Sequence, residues 1–374
     1  MDRRFEIVEG TDGFIEIRDA WEDLTARNGR ARYFQTYAWY RAYANNLEAS
    51  PETLVLVLAY QDDVLEAVFP LQYKKRGFLG LSLRVLQAPQ HSHLNLHDIV
   101  LDGEHDHEGL LFELLGFLKD QKSYKCDALH LGNVLEDSDA LKLVREERRL
   151  NKTIFPSGHC DSVPPLSEEE LPGFVSKNLK GNLRKARSKL SKQDKVEFLT
   201  TREPELLPEY LATFLDVEAS GWKGSSGSGT AIKLCESLTG FYADLTEQFG
   251  VLQRCEINLL MIDDKVAAGQ FGLIAGRTMH LLKIGYAEGF AQCAPGSVLM
   301  AKTLNRLSND SEISDVNLVS DAAWHASWRP IQQPVYKCCV YRDSLAAKFL
   351  LAYGRGRQTA KNVYVDLRRR AQQA

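Results

Sequence analysis

Two segments, one in each half of the chain, share one pattern of apolar and turn-forming residues. LVLAYQDDVLEAVFPL occupies residues 56–71, and NLLMIDDKVAAGQFGL occupies residues 258–273. Each has an apolar run, a pair of aspartates, a valine, a run of small or apolar residues and a phenylalanine, in that order. Two apolar runs around a polar turn predict an antiparallel β-hairpin. Because the pattern recurs in order and spacing, it indicates an internal duplication and therefore two similar domains.

The segments around the hairpins extend the repeat. Apolar spacing predicts further helices and strands in an α/β arrangement with mixed sheets. In the first half the helices are expected at residues 19–29, 35–47 and 108–121, and the strands at 81–89 and 128–134. In the second half a basic helix is expected at 176–192, a strand at 195–201, and helices at 206–222 and 234–250. Pro70 is expected to end its strand or to place it at an edge.

A segment rich in proline and turn-forming residues separates the halves. It covers residues 150–172 and predicts a strand followed by a connection. We therefore expect domains at residues 1–165 and 166–374, the second ending in a basic C-terminal helical tail.

Composition restricts the class of protein. The chain has 374 residues, 44% of them hydrophobic, and a formal net charge of -4, which argues against nucleic-acid binding over the whole surface. The 7 cysteines form no C-x-x-C pair and are expected to be reduced. The N-terminus lacks an apolar signal region, and no apolar run reaches the roughly 20 residues that span a bilayer. These features predict a cytoplasmic protein.

Four segments carry a resemblance to a known family. They are SKNLKGNLRKARSKL, LLMIDDKVAAGQFGL, HLLKIGYAEGFAQCAPGSVLM and SDAAWHASWRP. Together with the order of elements, they make the chain similar to tandem GNAT acyltransferases, in particular to the CelD/BcsL-like group, which is related to FemAB-like transferases. The resemblance implies two tandem GNAT-like domains and acyl-CoA as a co-substrate, with no permanently bound cofactor. It also implies an amine acceptor, either an amino sugar of a surface polysaccharide or a long-chain sphingoid-type amine, in envelope or lipid metabolism.

Two departures from the family pattern stand out. The pyrophosphate loop Q/R-x-x-G-x-G/A is only approximated by Gln292 to Ser297, Q-C-A-P-G-S. Relatives commonly carry Tyr-Lys in the late segment, where this chain has Trp324-His325.

The residues suggest where a donor binds. Backbone N–H groups at Gly296 and Ser297 are expected to face donor phosphates, because a helix start after a tight turn suits an anion. The family resemblance implies that the preceding strand lines the donor, so Lys283 and Tyr286 on that strand are the expected companions. An ordinary strand-to-helix turn is the alternative.

His325 is the candidate general base, because imidazole titrates near neutral pH. Asp321 is the candidate that orients it, and Trp324 and Trp328 are candidate substrate-binding residues. A histidine in an aromatic, half-buried loop is the alternative interpretation.

In the first half, HSHLNLHD suggests a second polar site. His97 and Asp98 are candidate catalytic residues of an acceptor pocket, and surface positions are the alternative. Zinc ligation by His91, His93 and His97 is considered because imidazole is a common zinc ligand, but no metal site is predicted.

The run WKGSSGSGT suggests a loop that closes over substrates. Trp222 would pack this loop and Lys223 would meet an anion, whereas an ordinary surface loop is the alternative. Arg184 belongs to a cationic helical stripe that suits CoA phosphates, tRNA or anionic lipid. The tail, with VYVDLRRR, suggests peripheral membrane contact or, equally, packing onto the core.

Two other functions remain open. A FemAB-like aminoacyl-tRNA-dependent transferase would use the basic stripe to bind tRNA. A non-catalytic binding protein in envelope polysaccharide or lipid biosynthesis would have a degenerate donor loop.

Overall fold

The fold was obtained as a computed structural model of the full chain. The structure describes residues 3–47, 54–78, 81–103, 105–221, 223–224, 227–343, 347–348 and 351–352. The helices are α1 Gly10–Glu16, α2 Arg18–Asn28, α3 Tyr37–Asn46, α4 Leu110–Asp120, α5 Asp139–Glu146, α6 Leu171–Phe174, α7 Lys177–Leu190, α8 Leu207–Ser220, α9 Glu236–Gly250 and α10 Pro295–Leu307. The strands are β1 Arg4–Glu9, β2 Leu54–Gln61, β3 Val64–Phe78, β4 Leu81–Gln87, β5 Val100–Leu101, β6 Ala128–Leu135, β7 Asn151–Val163, β8 Val196–Thr201, β9 Cys255–Ile262, β10 Lys265–Ala275, β11 Thr278–Tyr286, β12 Asp315–Asn317 and β13 Ile331–Tyr341.

The chain forms two compact units, each assembled from segments that are separated in the sequence. Unit 1 consists of residues 1–28, 50–158 and 334–374, and unit 2 of residues 29–49 and 159–333. The units therefore differ from a simple division between residues 165 and 166. The helix α3 contributes to unit 2, although it precedes the first hairpin in the sequence.

Unit 1 is built on the first repeat. Its strands run in the order β1, β2, β3, β4, β6 and β13, with β5 beside β3. The pairings are antiparallel except for β4 with β6, which are parallel. The helices α4 and α5 contribute buried leucines to the core of this unit, as their amphipathic sequences predict.

Unit 2 repeats this order around the second hairpin. Its strands run β12, β11, β10, β9 and β8, and the end of β7 pairs with β12. The β11–β12 pairing is parallel, and the pairings among β8, β9, β10 and β11 are antiparallel. In both units a hairpin, a strand, a helix and a parallel strand follow one another, so the mixed α/β fold predicted from the repeat is confirmed.

The paired aspartates form the same turn in both hairpins. Asp62 and Asp63 have φ of 50° and 61°, and Asp263 and Asp264 have φ of 49° and 61°. Two consecutive residues with positive φ are the signature of the type I′ turn, whose twist matches that of the flanking strands. The shared Asp-Asp pair therefore predicted a real structural repeat.

The expectation for Pro70 was wrong. The strand β3 continues through Pro70 to Phe78 and lies between β2 and β4. On the side away from β2, β5 pairs with Ala67 and Val68, and β4 pairs from Gln72 onward. Pro70 falls between these two ladders, where a residue without an N–H group is tolerated.

No helix within the described part of the chain is long and apolar enough to cross a bilayer. The predicted C-terminal helical tail lies largely outside the described residues.

Candidate active site

The strands β11 and β12 form a fork in the sheet of unit 2. They pair only over three positions, from Thr278 with Asp315 to His280 with Asn317. The strand β11 then continues to Tyr286, without a partner among the described strands on its β12 side. Backbone N–H and C=O groups along this edge are available to an extended ligand that adds itself as a strand.

A sharp turn after β12 opens the fork. Val319 has a φ of 51°, a left-handed conformation that is unusual for a β-branched residue. The side chain of Asn317 holds this turn, because its Oδ1 accepts a hydrogen bond from the Val319 N–H at 2.8 Å and another from the Cys160 thiol at 3.1 Å. Strained backbone of this kind is often found at functional sites.

The predicted donor loop lies at the end of β11. The chain passes through a 3₁₀ segment, and Ala294 then adopts a left-handed conformation with φ 46° directly before α10. Pro295 occupies the first turn of α10, and no side chain caps this helix. A Cβ atom on Gly296 would lie 4.0 Å from Cδ1 of Tyr286, so the tyrosine ring borders the start of the helix. The structure thus brings Tyr286 next to the Gly296–Ser297 turn.

The helix α8 packs unusually close to β11. Gly269 and Gly285 are directly opposite each other on β10 and β11, and a Cβ atom on Gly285 would lie only 2.8 Å from Cα of Glu218. Only glycine allows this approach without displacing the helix backbone. The buried carboxylate of Glu218 therefore lies over β11, close to Lys283.

Lys283 is the predicted donor-side lysine, and its surroundings perturb its titration. Burial lowers the pKa of Lys283 to about 8; the nearby Lys223 ammonium also lowers it, and Glu218 opposes the shift. The Lys223 ammonium itself is 3.0 Å from Oε1 of Glu218. The three side chains form a partly buried cluster of two cations and one carboxylate beside the fork.

The carboxylate of Glu218 also holds the end of the Gly/Ser loop. Oε2 of Glu218 accepts a hydrogen bond from the N–H of Ile232 at 3.0 Å, and the N–H of Ala231 donates to the carbonyl of Lys223. The helix α9 begins only at Glu236, after a short 3₁₀ segment. The expected anion position at the end of the loop is thus occupied by the protein's own Glu218. Trp222 lies outside the described residues.

The candidate base His325 is buried against a carboxylate that sequence reasoning missed. Nδ1 of His325 is 2.8 Å from Oδ2 of Asp161, and both residues are almost completely buried. Burial lowers the pKa of His325, whereas Asp161 and the Ser320 carbonyl favour the protonated ring. A neutral ring that donates its proton from Nδ1 to Asp161 leaves Nε2 unprotonated, as a general base requires.

Asp161 is positioned by the same turn that opens the fork. Its N–H donates to the carbonyl of Ser320, and its carbonyl accepts from the N–H of Leu318. These two backbone hydrogen bonds hold Asp161 beside β12. Its second oxygen, Oδ1, lies 3.4 Å from Nε2 of His159. Side chains alternate along a strand, so His159 and Asp161 lie on one face and Cys160 on the other. This alternation was the one sequence signal that pointed to Asp161.

The three residues predicted to act beside His325 lie in different environments. Asp321 is exposed, so the carboxylate bonded to the ring is Asp161 rather than Asp321. Trp324 is 42% exposed, and its ring centroid lies 4.3 Å from that of His325, edge to face. Trp328 is 1% exposed and belongs to the hydrophobic core of unit 2, so it is a packing residue rather than a surface for substrate.

The pair His97–Asp98 belongs to unit 1. The Asp98 carboxylate accepts hydrogen bonds from the backbone N–H groups of Ile99, Asp139 and Ala140, and so caps α5. Burial lowers the pKa of His97 to about 3, which keeps the ring neutral. A catalytic role for this pair stays a prediction, with Asp98 already used as a helix cap.

Within the part of the chain that the structure describes, no group of three or more histidine, cysteine, aspartate or glutamate side chains is arranged to hold a metal ion. Arg184 is exposed on α7. It lines a groove that is bordered by α6, α7, β8 and α10.

Part of unit 2 matches a known protein family. Residues 177–324 match the family described as "Acetyltransferase (GNAT) domain". This segment contains the fork, the donor loop and Trp324. The fold of unit 2 is that of a GNAT acyltransferase. No curated protein matches the sequence significantly.

Solved structures resemble the chain over most of its length. One is the C-terminal domain of a putative lysylphosphatidylglycerol synthetase from Agrobacterium fabrum, with 14% identity, a TM-score of 0.53, and coverage of 90% of this chain and 96% of that chain. Another is FemX, with 10% identity, a TM-score of 0.55, and coverage of 89% and 96%. A third is a conserved protein of unknown function from Bacteroides thetaiotaomicron VPI-5482, with 15% identity, a TM-score of 0.54, and coverage of 91% and 100%. At these identities the likeness concerns the fold.

Proposed function

We propose that the protein is an N-acyltransferase of the CelD/BcsL-like type that transfers an acyl group from acyl-CoA to an amine. The observation that carries the proposal is the fork between β11 and β12, which leads directly to the uncapped start of α10. The amide-containing arm of CoA would extend along the open edge of β11. Its phosphates would meet the N–H groups of Gly296 and Ser297, next to Tyr286.

His325 would act as the general base. An amine acceptor attacks a thioester only after it has lost a proton, and a buried neutral imidazole held by a carboxylate can take that proton. Nε2 would accept it, and Asp161 would stabilise the resulting imidazolium and keep the ring oriented. The new amide forms as the carbon–sulfur bond breaks, and the proton from the amine is available to the thiolate of CoA.

The acceptor is proposed to be an amino sugar of a surface polysaccharide or a long-chain sphingoid-type amine. Trp324, which is exposed and contacts the ring of His325, would form part of its binding surface. Each of the seven cysteines is free in the structure, which agrees with a cytoplasmic location.

Acyl-CoA binding is the first test. Acetyl-CoA and long-chain acyl-CoA should raise the melting temperature, because a ligand that binds only the folded state stabilises it. Release of CoA thiol should then be measured with amino sugars and with sphingoid bases.

Asp161→Asn provides the mechanistic test. Loss of a charge-assisted hydrogen bond worth about 1.5–3 kcal/mol should reduce kcat roughly 10-fold to 100-fold and leave acyl-CoA affinity nearly unchanged. The matched control Asp321→Asn, an exposed carboxylate near His325, should retain most activity. Equal rates in the two variants would argue against the role of Asp161.

A FemAB-like aminoacyl-tRNA-dependent transferase is the second candidate. The exposed cations of α7, among them Lys177, Lys180 and Arg184, are the observation that favours it, since RNA binding depends on phosphate contacts. Salt-sensitive tRNA binding without a response to acyl-CoA would select this candidate. If neither donor binds, the non-catalytic alternative is the better description.

A further inference from the structure

A cavity lies in unit 2, on the side of the sheet covered by α7 and α10. It is a groove of about 560 Å³, bordered by α6, α7, β8 and α10. Its volume lies within the range of sites that bind small molecules. The α10 wall begins at Val298, directly after Ser297 of the donor loop, but the groove contains none of the residues to which the proposed acyl-CoA mechanism gives a role.

The floor of the groove is apolar. Nine of the described residues that line it are aliphatic or aromatic, including Leu183 and Leu190 of α7, Phe198 of β8 and Ala301 of α10. Phe198 is 38% exposed on β8, whose one partner among the described strands is β9. An apolar concave surface of this kind gains free energy when a hydrocarbon chain covers it.

The mouth of the groove is cationic. Among the described residues that line the mouth, four are cations and one, Glu168, is a carboxylate. Arg187 and Lys302 are paired with Glu168, at 3.4 Å and 2.6 Å. The side chains of Lys180 and Arg184 have no ion-pair or hydrogen-bond partner among the described residues, so their charges are available to a ligand.

The apolar floor and the cationic mouth together indicate the class of ligand that fits the groove. An apolar floor with unpaired cations at its edge complements a hydrocarbon chain with an anionic head group. The chain's own C-terminal segment does not fit, because residues 353–374 contain six arginines and lysines and one aspartate, and would be repelled by the cations.

We propose that this groove binds a single-chain anionic amphiphile, a long alkyl or acyl chain that carries a phosphate or carboxylate group. The chain lies along Leu183, Leu190 and Ala301, and the head group contacts Lys180 and Arg184. This site is separate from the acyl-transfer site and does not depend on the proposed activity.

Calorimetric titration with decyl, dodecyl and tetradecyl phosphate, each below its micelle concentration, tests the proposal. Affinity should rise about 15-fold for each two added methylenes if the chain is buried. The double variant Lys180→Gln/Arg184→Gln should bind dodecyl phosphate about 10-fold more weakly. Ala301→Trp should fill the groove and abolish the dependence on chain length. The control Lys185→Gln, an exposed cation of α7 that does not line the groove, should bind like the parent protein.

Three results would overturn the proposal. Equal affinity for the three chain lengths would show that only the phosphate binds. Displacement of dodecyl phosphate by adenosine 3′,5′-bisphosphate would assign the groove to the nucleotide end of an acyl-CoA donor. Sedimentation with phosphatidylglycerol vesicles, without binding of the monomeric amphiphiles, would indicate contact with a bilayer surface instead. Melting temperatures of all variants verify folding, and acyl-CoA shifts measured in parallel separate this proposal from the proposed function.

Discussion

Replacement of Gly285 by alanine should destabilise unit 2, because the contact that places Glu218 beside Lys283 leaves no room for a methyl group. The added Cβ would lie 2.8 Å from Cα, 3.0 Å from Cβ and 3.2 Å from N of Glu218. Two of these atoms belong to the helix backbone, so a side-chain rotation cannot relieve the clash.

The magnitude follows from two opposing effects. Overpacking of this kind costs about 1–3 kcal/mol. The lower entropy of the unfolded alanine chain offsets roughly 0.4–1 kcal/mol of that cost. We expect a net loss of about 1–2 kcal/mol in the free energy of unfolding, or a few degrees in melting temperature.

Gly289→Ala is the matched control. Gly289 is exposed, and a Cβ atom there would meet no atom within 4 Å. Its substitution should leave stability unchanged or raise it by about 0.4–1 kcal/mol, through the unfolded state alone.

Urea unfolding followed by tryptophan fluorescence provides the assay. Three of the five tryptophans, Trp39, Trp324 and Trp328, lie in described segments of unit 2, so the signal reports mainly on that unit. If Gly285→Ala were as stable as Gly289→Ala, the close packing of α8 on β11 would be refuted, and with it the proximity of Glu218 to Lys283.

Two further predictions concern the core and the lysine. Trp328→Ala should lower the free energy of unfolding by about 3–5 kcal/mol, whereas Trp324→Ala should change it by less than about 0.5 kcal/mol, because only the first ring is buried in the core; similar urea midpoints for the two variants would contradict this difference. The pKa of Lys283 is lowered to about 8 from its usual 10.5, so between these pH values the unfolded chain binds more protons than the folded one. Stability should therefore rise across that window relative to Lys283→Met, and parallel pH profiles of the two proteins would argue against the perturbed lysine.

Much of the fold could be predicted from local patterns. The hairpins, the Asp-Asp turns and the helices α7, α8 and α9 follow from apolar periodicity and turn chemistry, which depend on neighbouring residues along the chain. The prediction for Pro70 was wrong, because the tolerance of proline there depends on where β5 and β4 begin to pair with β3. That register is not encoded near the proline itself.

Sequence alone also supplied the candidate residues of the site and their approximate places along the chain. His325 was proposed from its side-chain chemistry, and Lys283, Tyr286 and the Gly296–Ser297 turn were proposed from the family resemblance together with their place at the end of a strand and the start of a helix. Tertiary structure decided which groups meet. Asp161, 164 residues before His325, rather than the nearby Asp321, holds the imidazole, and Glu218, rather than an external anion, occupies the end of the Gly/Ser loop. Partners of this kind are brought together by strand pairing and helix packing across long stretches of chain, and spacing in the sequence carries no record of that geometry.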